Sequence, residues 1–268
     1  MIVFRGCGLR AGKAVLLRDI DLTVPPGSVT AIVGPNGAGK SSLLRLASGE
    51  LRPSHGEVLF AGRSLAAWSP RDLARRRAVV SQRHSLAMPM RAGEIVALGR
   101  QPWHGTQAMR DDAEAVAEAM ALAGVRELAG RDHASLSGGE QQRVQIARAL
   151  AQLASMRGER MLLLDEPTAS LDMGHAAALL RLLRRLAARE GTGILLVLHD
   201  LNEARFVADH VAMLQAGRLV AAGAATEVLR PDLLRRVYGL PFHEAGPMLM
   251  PDYGDMDREE MPGIHLSG

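Results

Sequence analysis

Short apolar runs separated by turn residues open this chain and predict strands. Residues 2–4 and the alternating stretch 16–24, which Pro25-Pro26-Gly27 closes, each fit a strand with one buried face. Residues 29–33 are almost wholly apolar and lead directly into a glycine-rich loop, and residues 41–48 behind that loop have the spacing of a helix. The N-terminal pattern therefore predicts strand, glycine-rich loop and helix in succession.

From about residue 71 to residue 154 the pattern becomes helical. Residues 111–123 are rich in Ala, Glu and Met with an apolar spacing near 3.6, and residues 141–153 form a second clear helix. Strand-like runs return in the last third of the chain, at 161–164, 194–198 and 211–214, with a helix at 174–189 and a late hairpin at 214–219. This alternation of strand and helix predicts a parallel sheet.

Composition adds limits to this picture. A chain of 268 residues has room for one large domain or for a core with an inserted lobe. Aromatic residues make up 3%, so Leu, Val, Ala and Ile must build the interior, and the single Cys7 excludes an internal disulfide. The apolar runs are shorter than the ~20 residues of a membrane helix, and the N-terminus lacks a signal-peptide pattern. We therefore expect any attachment to a membrane to depend on a partner.

The net charge of +3 is too small to indicate nucleic acid as a partner. Lysine is rare, however, since Lys13 and Lys40 are the only two among 32 basic residues. The arginine run at 75–77 is most simply a solvated helix end, with contact to nucleic acid, lipid headgroups or a membrane partner as the alternatives.

The glycine-rich loop has the composition of a phosphate-binding loop. Glycines allow a tight turn and close approach of the backbone, whose N–H groups hold phosphates together with the positive end of the next helix. Lys40 would reach the β- and γ-phosphates of a nucleoside triphosphate, and Ser41 would bind Mg²⁺. A chance match to this pattern has a probability of roughly one in several hundred. The predicted loop residues are Gly34, Pro35, Asn36, Gly37, Ala38, Gly39, Lys40, Ser41 and Ser42.

Two later strands end in candidate catalytic side chains. Asp165 and Glu166 follow the apolar run 161–164, where Asp165 is suited to hold Mg²⁺ and Glu166 to accept a proton from an attacking water. A helix N-cap region before Pro167 is the structural alternative. His199 follows the run 194–198 and suits a γ-phosphate sensor, with a purely structural histidine as the alternative. These residues predict hydrolysis of a nucleoside triphosphate, with Mg²⁺ bound beside its phosphates.

With these motifs in place, Leu136-Ser137-Gly138-Gly139-Glu140, Ser170-Leu171-Asp172 and Gln82 complete a set that resembles the ATP-binding subunit of an ABC transporter. The resemblance covers residues 1 to about 240. It implies an α/β fold: a RecA-like phosphate-loop core, an N-terminal antiparallel β subdomain and an inserted α-helical subdomain. The expected ATP-binding domain spans 1–245, with the helical subdomain at about 83–155.

The same resemblance implies a homodimer with two ATP molecules between the chains. Ser137, Gly138 and Gly139 of one chain would contact the nucleotide bound to the other, and Asp172 would lie at the seam. Gln82 would contact the nucleotide and its Mg²⁺ and link them to the helical subdomain and the membrane partner.

Residues 73–82, 94–100, 197–204 and 237–239 are similar to the branch of the family that imports iron complexes, haem and vitamin B12, and most of all to bacterial haemin-import ATPases. This implies a peripheral subunit at the cytoplasmic face of the bacterial inner membrane. Its expected partners are a two-copy permease and, indirectly, a periplasmic substrate-binding protein, but no nucleic acid. Import of ferric siderophores or cobalamin is the alternative. A soluble ABC ATPase acting on nucleic acid or ribosomes is an alternative of another class.

Two segments stand apart from the family pattern. The aromatic residue that the family usually stacks on adenine is missing around residues 9–13, where the guanidinium group of Arg10 is a candidate substitute. Residues 246–268 carry five acids and predict a flexible acidic tail, with a metal or haem contact through its Met and His side chains as the alternative. The acids are Asp252, Asp255, Asp257, Glu259 and Glu260, and the candidate ligands are Met248, Met250 and His265.

Overall fold

A computed structural model of the protein describes residues 1–81 and 89–254. In chain order its strands are β1 (Ile2–Ala11), β2 (Ala14–Val24), β3 (Val29–Val33), β4 (His55–Phe60), β5 (Arg63–Ser64), β6 (Arg77–Val80), β7 (Met161–Asp165), β8 (Gly193–Val197), β9 (His210–Gln215), β10 (Arg218–Ala224), β11 (Phe242–Ala245) and β12 (Met248–Pro251). Its α-helices are α1 (Lys40–Ala47), α2 (Pro70–Arg76), α3 (Ala92–Leu98), α4 (Asp112–Leu122), α5 (Gly138–Leu153), α6 (Met173–Glu190), α7 (Leu201–Val207), α8 (Ala225–Val228) and α9 (Pro231–Tyr238).

The N-terminal strands form an antiparallel sheet in the order β2-β1-β4-β5. One face of this sheet packs on α1, where Leu43 and Leu46 are fully buried in the same apolar cluster as Phe4 and Phe60. The first strand is longer than the predicted 2–4, because it continues through irregular pairing to Ala11 and so escapes a simple alternating pattern. The first half of β4 is polar and exposed, so the apolar pattern of the sequence does not predict this strand.

The central sheet has six strands in the order β10-β9-β3-β8-β7-β6. All neighbouring pairs from β9 to β6 are parallel, and only β10 runs antiparallel at the edge. The strand β6 lies within the stretch predicted to be helical, so that prediction is wrong here. Pairing with β7 explains the difference, because it supplies ladder hydrogen bonds to a short run that sequence spacing leaves ambiguous.

Among the described residues between β6 and β7, the α-helices are α3, α4 and α5, which pack against one another and form a helical insertion between these two strands. The helices predicted at 111–123 and 141–153 are confirmed as α4 and α5, but α5 begins earlier, at Gly138. The reason is local: Ser137 caps the helix, so the two glycines form its first turn instead of a preceding loop. The predicted α/β class, with its antiparallel subdomain and helical insertion, is confirmed.

The arginine run is not a solvated helix end, and that interpretation is wrong. Arg75 lies over the ring of Trp103 at 5.5 Å and donates from Nε to the Pro102 carbonyl at 2.8 Å. Arg76 lies over Trp68 at 5.3 Å. Arg77 is partly buried, and this desolvation lowers the pKa of its guanidinium group to about 10. The contacts of Arg75 and Arg76 hold α2 against Trp103 and Trp68.

The C-terminal hairpin of β11 and β12 packs on α7 and α9. The Asn202 side chain accepts from the Leu249 backbone N–H at 2.7 Å and donates to its carbonyl at 3.1 Å, as a neighbouring strand would. The boundary predicted at residue 246 falls inside this hairpin, whereas the tail from residue 255 onward and Gln82 lie outside the described residues. Within the described ranges, no helix is long and apolar enough to cross a membrane.

Candidate functional site

A cavity of about 780 Å³ opens at the carboxyl edge of the central sheet. Because β3, β7 and β8 are adjacent parallel strands, the loops that follow them meet at this edge. The loops bring most of the predicted phosphate loop together with Glu166 and His199. The cavity is lined by Val15, Leu16, Asn36, Gly37, Ala38, Gly39, Lys40, Ser41, Ser42, Glu166, His199, Ala216 and Gly217.

The phosphate loop has a conformation that glycine makes possible. Gly34 has φ 146°, and a Cβ added there would lie 2.1 Å from the Leu214 carbonyl oxygen. Gly39 has φ 99° and is the N-cap of α1. The first backbone N–H groups of α1 have no partner within the helix. The loop therefore leaves backbone N–H groups and a helix N-terminus available to an anion.

Lys40 is buried, with 6% of its surface exposed. Its Nζ donates to the carbonyl of Gly34 at 2.7 Å and to that of Pro35 at 3.0 Å. Burial lowers the pKa of Lys40, while the nearby Glu166 and Asp165 act in the opposite direction. A phosphate group that displaced the two carbonyls would meet a cation already stripped of most of its water.

Asp165 lies beside the start of α1, where its Oδ1 accepts from the Ser41 hydroxyl at 3.2 Å. Burial is the main cause of a raised pKa at Asp165. Within residues 1–81 and 89–254 no group of three or more His, Cys, Asp or Glu side chains is placed to hold a metal ion. One carboxylate and one hydroxyl nevertheless fit Mg²⁺, which takes few protein ligands and completes its shell with phosphate oxygens and water.

Glu166 has a strained backbone and a close partner. Its φ is 49°, a left-handed conformation that is uncommon for a residue with a side chain. Its N–H donates to the Val197 carbonyl at 3.2 Å, and its Oε1 lies 2.5 Å from His199 Nε2. The N-cap alternative for this pair is wrong, because the next helix is α6 and its N-cap is Asp172.

Ser137, Gly138, Gly139 and Asp172 do not line the cavity of their own chain. Ser137 is exposed and caps α5: its Oγ accepts from the Glu140 N–H at 3.3 Å, and its own N–H donates to Glu140 Oε2 at 2.8 Å. Gly139 packs closely on the loop after β7, since a Cβ there would lie 3.0 Å from the Ser170 carbonyl.

Asp172 is also an exposed cap. It accepts from the His175 N–H at 2.9 Å and lies 2.6 Å from His175 Nδ1, and these bonds lower the pKa of Asp172. The segment around Ser137 and the segment around Asp172 are therefore adjacent, and both present polar groups to the outside.

Sequence reasoning missed the far wall of the cavity. Val15 and Leu16 come from β2, and the turn Ala216–Gly217 joins β9 to β10. The Gly217 N–H donates to the Ala38 carbonyl at 3.1 Å, so this turn supports the phosphate loop. The turn itself was predicted as part of the hairpin at 214–219, but its contact with the loop is non-local. Arg10, the predicted adenine partner, pairs in register with Val15 on the neighbouring strand and is not among the lining residues.

Comparison with known proteins assigns a family to this arrangement. Residues 17–169 match the sequence family described as ABC transporter. The chain belongs to the ABC transporter family. It is an ATPase of that family.

Several curated relatives of this ABC ATPase carry the name hemin import ATP-binding protein HmuV. The protein of Nocardia farcinica is 50% identical over 241 residues, which is 90% of this chain and 81% of the relative. The proteins of Myxococcus xanthus and Bordetella pertussis are both 44% identical, over 92% and 88% of this chain and 96% and 91% of the relatives.

Solved structures agree with the fold of this ABC ATPase. The dimeric ABC transporter cassette MJ0796 has a TM-score of 0.74 at 27% identity, with 84% of this chain and 99% of that chain covered. The same cassette in a post-hydrolysis state with ADP and Pi has a TM-score of 0.73 at 26% identity, again covering 84% and 99%.

Proposed function

We propose that this ABC ATPase is the energy-coupling subunit of a membrane complex that imports haemin. The observation that carries the proposal is the 50% identity, over 90% of this chain, to a relative named for hemin import. The candidate nucleotide site supports only the ATPase part of the proposal. The substrate of an importer passes through other subunits, so this site does not identify it. On this proposal the chain is a peripheral protein at the cytoplasmic face of the bacterial inner membrane.

ATP binding would begin with a change of partners at Lys40. Its ammonium group would leave the carbonyls of Gly34 and Pro35, which it contacts at 2.7 and 3.0 Å, for the β- and γ-phosphates. The N–H groups of the loop and of the first turn of α1 would surround the same phosphates. Ser41 and Asp165 would hold Mg²⁺, together with Gln82, and the ion would neutralise charge that develops on the phosphate oxygens.

Hydrolysis would use Glu166 as the general base and His199 as its positioning partner. The 2.5 Å contact between His199 Nε2 and Glu166 Oε1 places the two groups on one side of the cavity. Glu166 would accept a proton from the water that attacks the γ-phosphate, and His199 would hydrogen-bond the phosphate through its second ring nitrogen. Residues 161–166 and 193–199 hold this pair on adjacent strands, which fixes their separation.

A homodimer would complete the site. Ser137, Gly138 and Gly139 are outside the cavity of their own chain, and MJ0796, which has the same fold, is described as dimeric. In a head-to-tail pair, these residues would close over the nucleotide of the other chain, and Asp172 would lie at the seam. Two such chains would match a two-copy permease and, through it, a periplasmic substrate-binding protein.

The decisive experiment is a gentle affinity purification of the tagged, full-length chain from its native membranes, followed by mass spectrometry. Recovery of a multi-span permease establishes the importer assignment, and haemin-stimulated ATP hydrolysis by the reconstituted complex identifies the substrate. Stimulation by a ferric siderophore or by cobalamin, with no response to haemin, would change the proposed substrate but would leave the proposed energy-coupling role in place. Recovery of ribosomes or nucleic-acid-binding proteins without a permease would refute the proposal.

A further inference from the structure

Two hairpin turns of this chain share the same sequence and the same backbone shape. Ala61–Gly62 joins β4 to β5, and Ala216–Gly217 joins β9 to β10. The φ angles are 50° and 76° in the first turn and 47° and 76° in the second. Positive φ at both residues is the combination that two-residue hairpins favour, and it explains a glycine at either place. Any further role of one of these glycines must therefore come from its surroundings.

The surroundings of the two glycines differ sharply. A Cβ added at Gly62 would meet no atom within 4 Å. A Cβ added at Gly217 would lie 2.6 Å from the carbonyl oxygen of Leu16 and 3.2 Å from its carbonyl carbon. These are backbone atoms of β2, which cannot swing aside as the end of a flexible side chain can. The hairpin turn and β2 therefore approach as closely as they do because residue 217 has no side chain.

The phosphate loop meets the turn and β2 at the same point. A Cβ added at Gly39 would lie 2.9 Å from the same Leu16 carbonyl oxygen. The Gly217 N–H donates to the Ala38 carbonyl at 3.1 Å, and the Gly217 carbonyl accepts from the Arg18 N–H at 2.8 Å. Three segments that are far apart in sequence thus join through backbone atoms at the end of the phosphate loop.

This junction lies where the loop becomes the helix that would hold the phosphates. Gly39 is the N-cap of α1, whose first N–H groups would bind an anion. On the proposed function, Lys40 leaves the two loop carbonyls that its Nζ contacts at 2.7 and 3.0 Å. The bond from Gly217 to Ala38 involves neither of those carbonyls, so it remains when Lys40 changes partners.

We propose that Gly217 is a positioning residue for ATP: it lets the hairpin and β2 clamp the Ala38–Gly39 end of the phosphate loop in its binding shape. Gly217 acts through Ala38, and the chemical step belongs to Glu166 and His199. Its effect therefore falls on ATP affinity. The proposal rests on the proposed function, because it takes the cavity as the ATP site.

The test compares Gly217→Ala with Gly62→Ala in the full-length protein. Both variants carry the cost of a left-handed alanine, which lowers the free energy of unfolding, but only Gly217→Ala pushes on the loop. A loop that leaves its binding shape for part of the time binds ATP more weakly in proportion. We expect the Kd for ATP of Gly217→Ala to rise by about threefold to tenfold, the equivalent of one hydrogen bond, with kcat at saturating ATP within about twofold of the parent. Gly62→Ala should keep the Kd of the parent.

Hydrogen–deuterium exchange of the unaltered protein provides a second measurement, which holds even where Gly217→Ala folds poorly. A non-hydrolysable ATP analogue should slow exchange of the Gly217 amide, because the bound nucleotide stabilises the loop that this amide contacts. The control is the Ala61 amide, which donates to the Met1 carbonyl at 2.9 Å in the matching turn. Its exchange should not change.

An ATP Kd that Gly217→Ala and Gly62→Ala affect equally, or leave unchanged in both, would overturn the role of Gly217. A fall in kcat at unchanged Kd, or unchanged exchange of the Gly217 amide, would do the same. Lys40→Met separates these results from a failure of the ATP site itself. Normal ATP binding by Lys40→Met would refute the site assignment, whereas lost binding there with parental affinity in Gly217→Ala would refute only the positioning role.

Discussion

Replacing Glu166 by Gln tests the catalytic assignment with the smallest change in shape. The amide keeps the volume of the carboxylate, the contact with His199 and the left-handed backbone at φ 49°. It cannot accept a proton from water at neutral pH. ATP binding should survive, because the groups that hold the phosphates belong to the loop and to α1.

The expected loss follows from what Glu166 does in the site. A positioned general base contributes about 10² to 10⁴ in rate, which corresponds to about 2.7–5.5 kcal/mol of barrier. Glu166 lines the cavity with 15% of its side chain exposed, so bulk water is a poor substitute for it. We place the loss toward the upper end of that range.

The assay measures phosphate release and, in parallel, the mass of the protein in solution with and without ATP. Glu166→Gln should release almost no phosphate and should accumulate as an ATP-bound dimer. Glu203→Gln is the matched control, because Glu203 is a second partly buried glutamate whose carboxylate accepts from Thr168 Oγ1 at 2.7 Å outside the cavity. Turnover by Glu166→Gln within about tenfold of the parent would refute the base assignment.

Three further changes separate stability from activity. Asp165→Asn should raise the melting temperature of the nucleotide-free protein at pH 7 while abolishing Mg²⁺-dependent hydrolysis. Burial raises the folded-state pKa of Asp165 above its unfolded value near 3.8, so its ionisation opposes folding at neutral pH. The gain, followed by calorimetry, should vanish as the pH falls to that value. Ser137→Ala should lower the free energy of unfolding by about 1 kcal/mol, because the helix loses its cap. Ser137→Asp should keep the cap and the stability but still lose hydrolysis. Denaturant unfolding measures the first quantity and phosphate release the second. Because the residues that line the cavity include Val15 and Leu16 but no aromatic side chain, ATP and GTP should differ in Kd by less than about tenfold in a competition assay. A larger preference for ATP would contradict this reasoning.

The parts of the site that sequence predicted are those carried by short local segments. The loop at 34–41, the acids at 165 and 166 and the histidine at 199 each follow an apolar run, and parallel neighbours bring the ends of such runs together. Residues 36–42, Glu166 and His199 line one cavity, and Asp165 contacts that lining through the Ser41 hydroxyl. The parts that sequence missed, namely Val15, Leu16 and the turn at Ala216–Gly217, come to the site by contacts between distant segments that no local pattern records.

The helical stretch shows a second kind of limit. Charged side chains at a helix end are usually solvated, so the sequence favours that interpretation for Arg75 and Arg76, but their guanidinium groups lie over the rings of Trp103 and Trp68. Each ring lies outside the helix that carries the arginines. Pairing of this kind depends on the tertiary fold, so composition and spacing could not predict it.

The close approach of Gly139 to Ser170 has a consequence for the timing of ATP use. The segment that would cover the partner's nucleotide touches, within the same chain, the segment that runs to the seam at Asp172, and a methyl group added at Gly139 would lie only 3.0 Å from the Ser170 carbonyl oxygen. In the proposed dimer a displacement of one segment cannot leave the other unchanged. The two ATP molecules should therefore be bound and hydrolysed cooperatively. A dimer that holds one ATP should be a distinct and short-lived species.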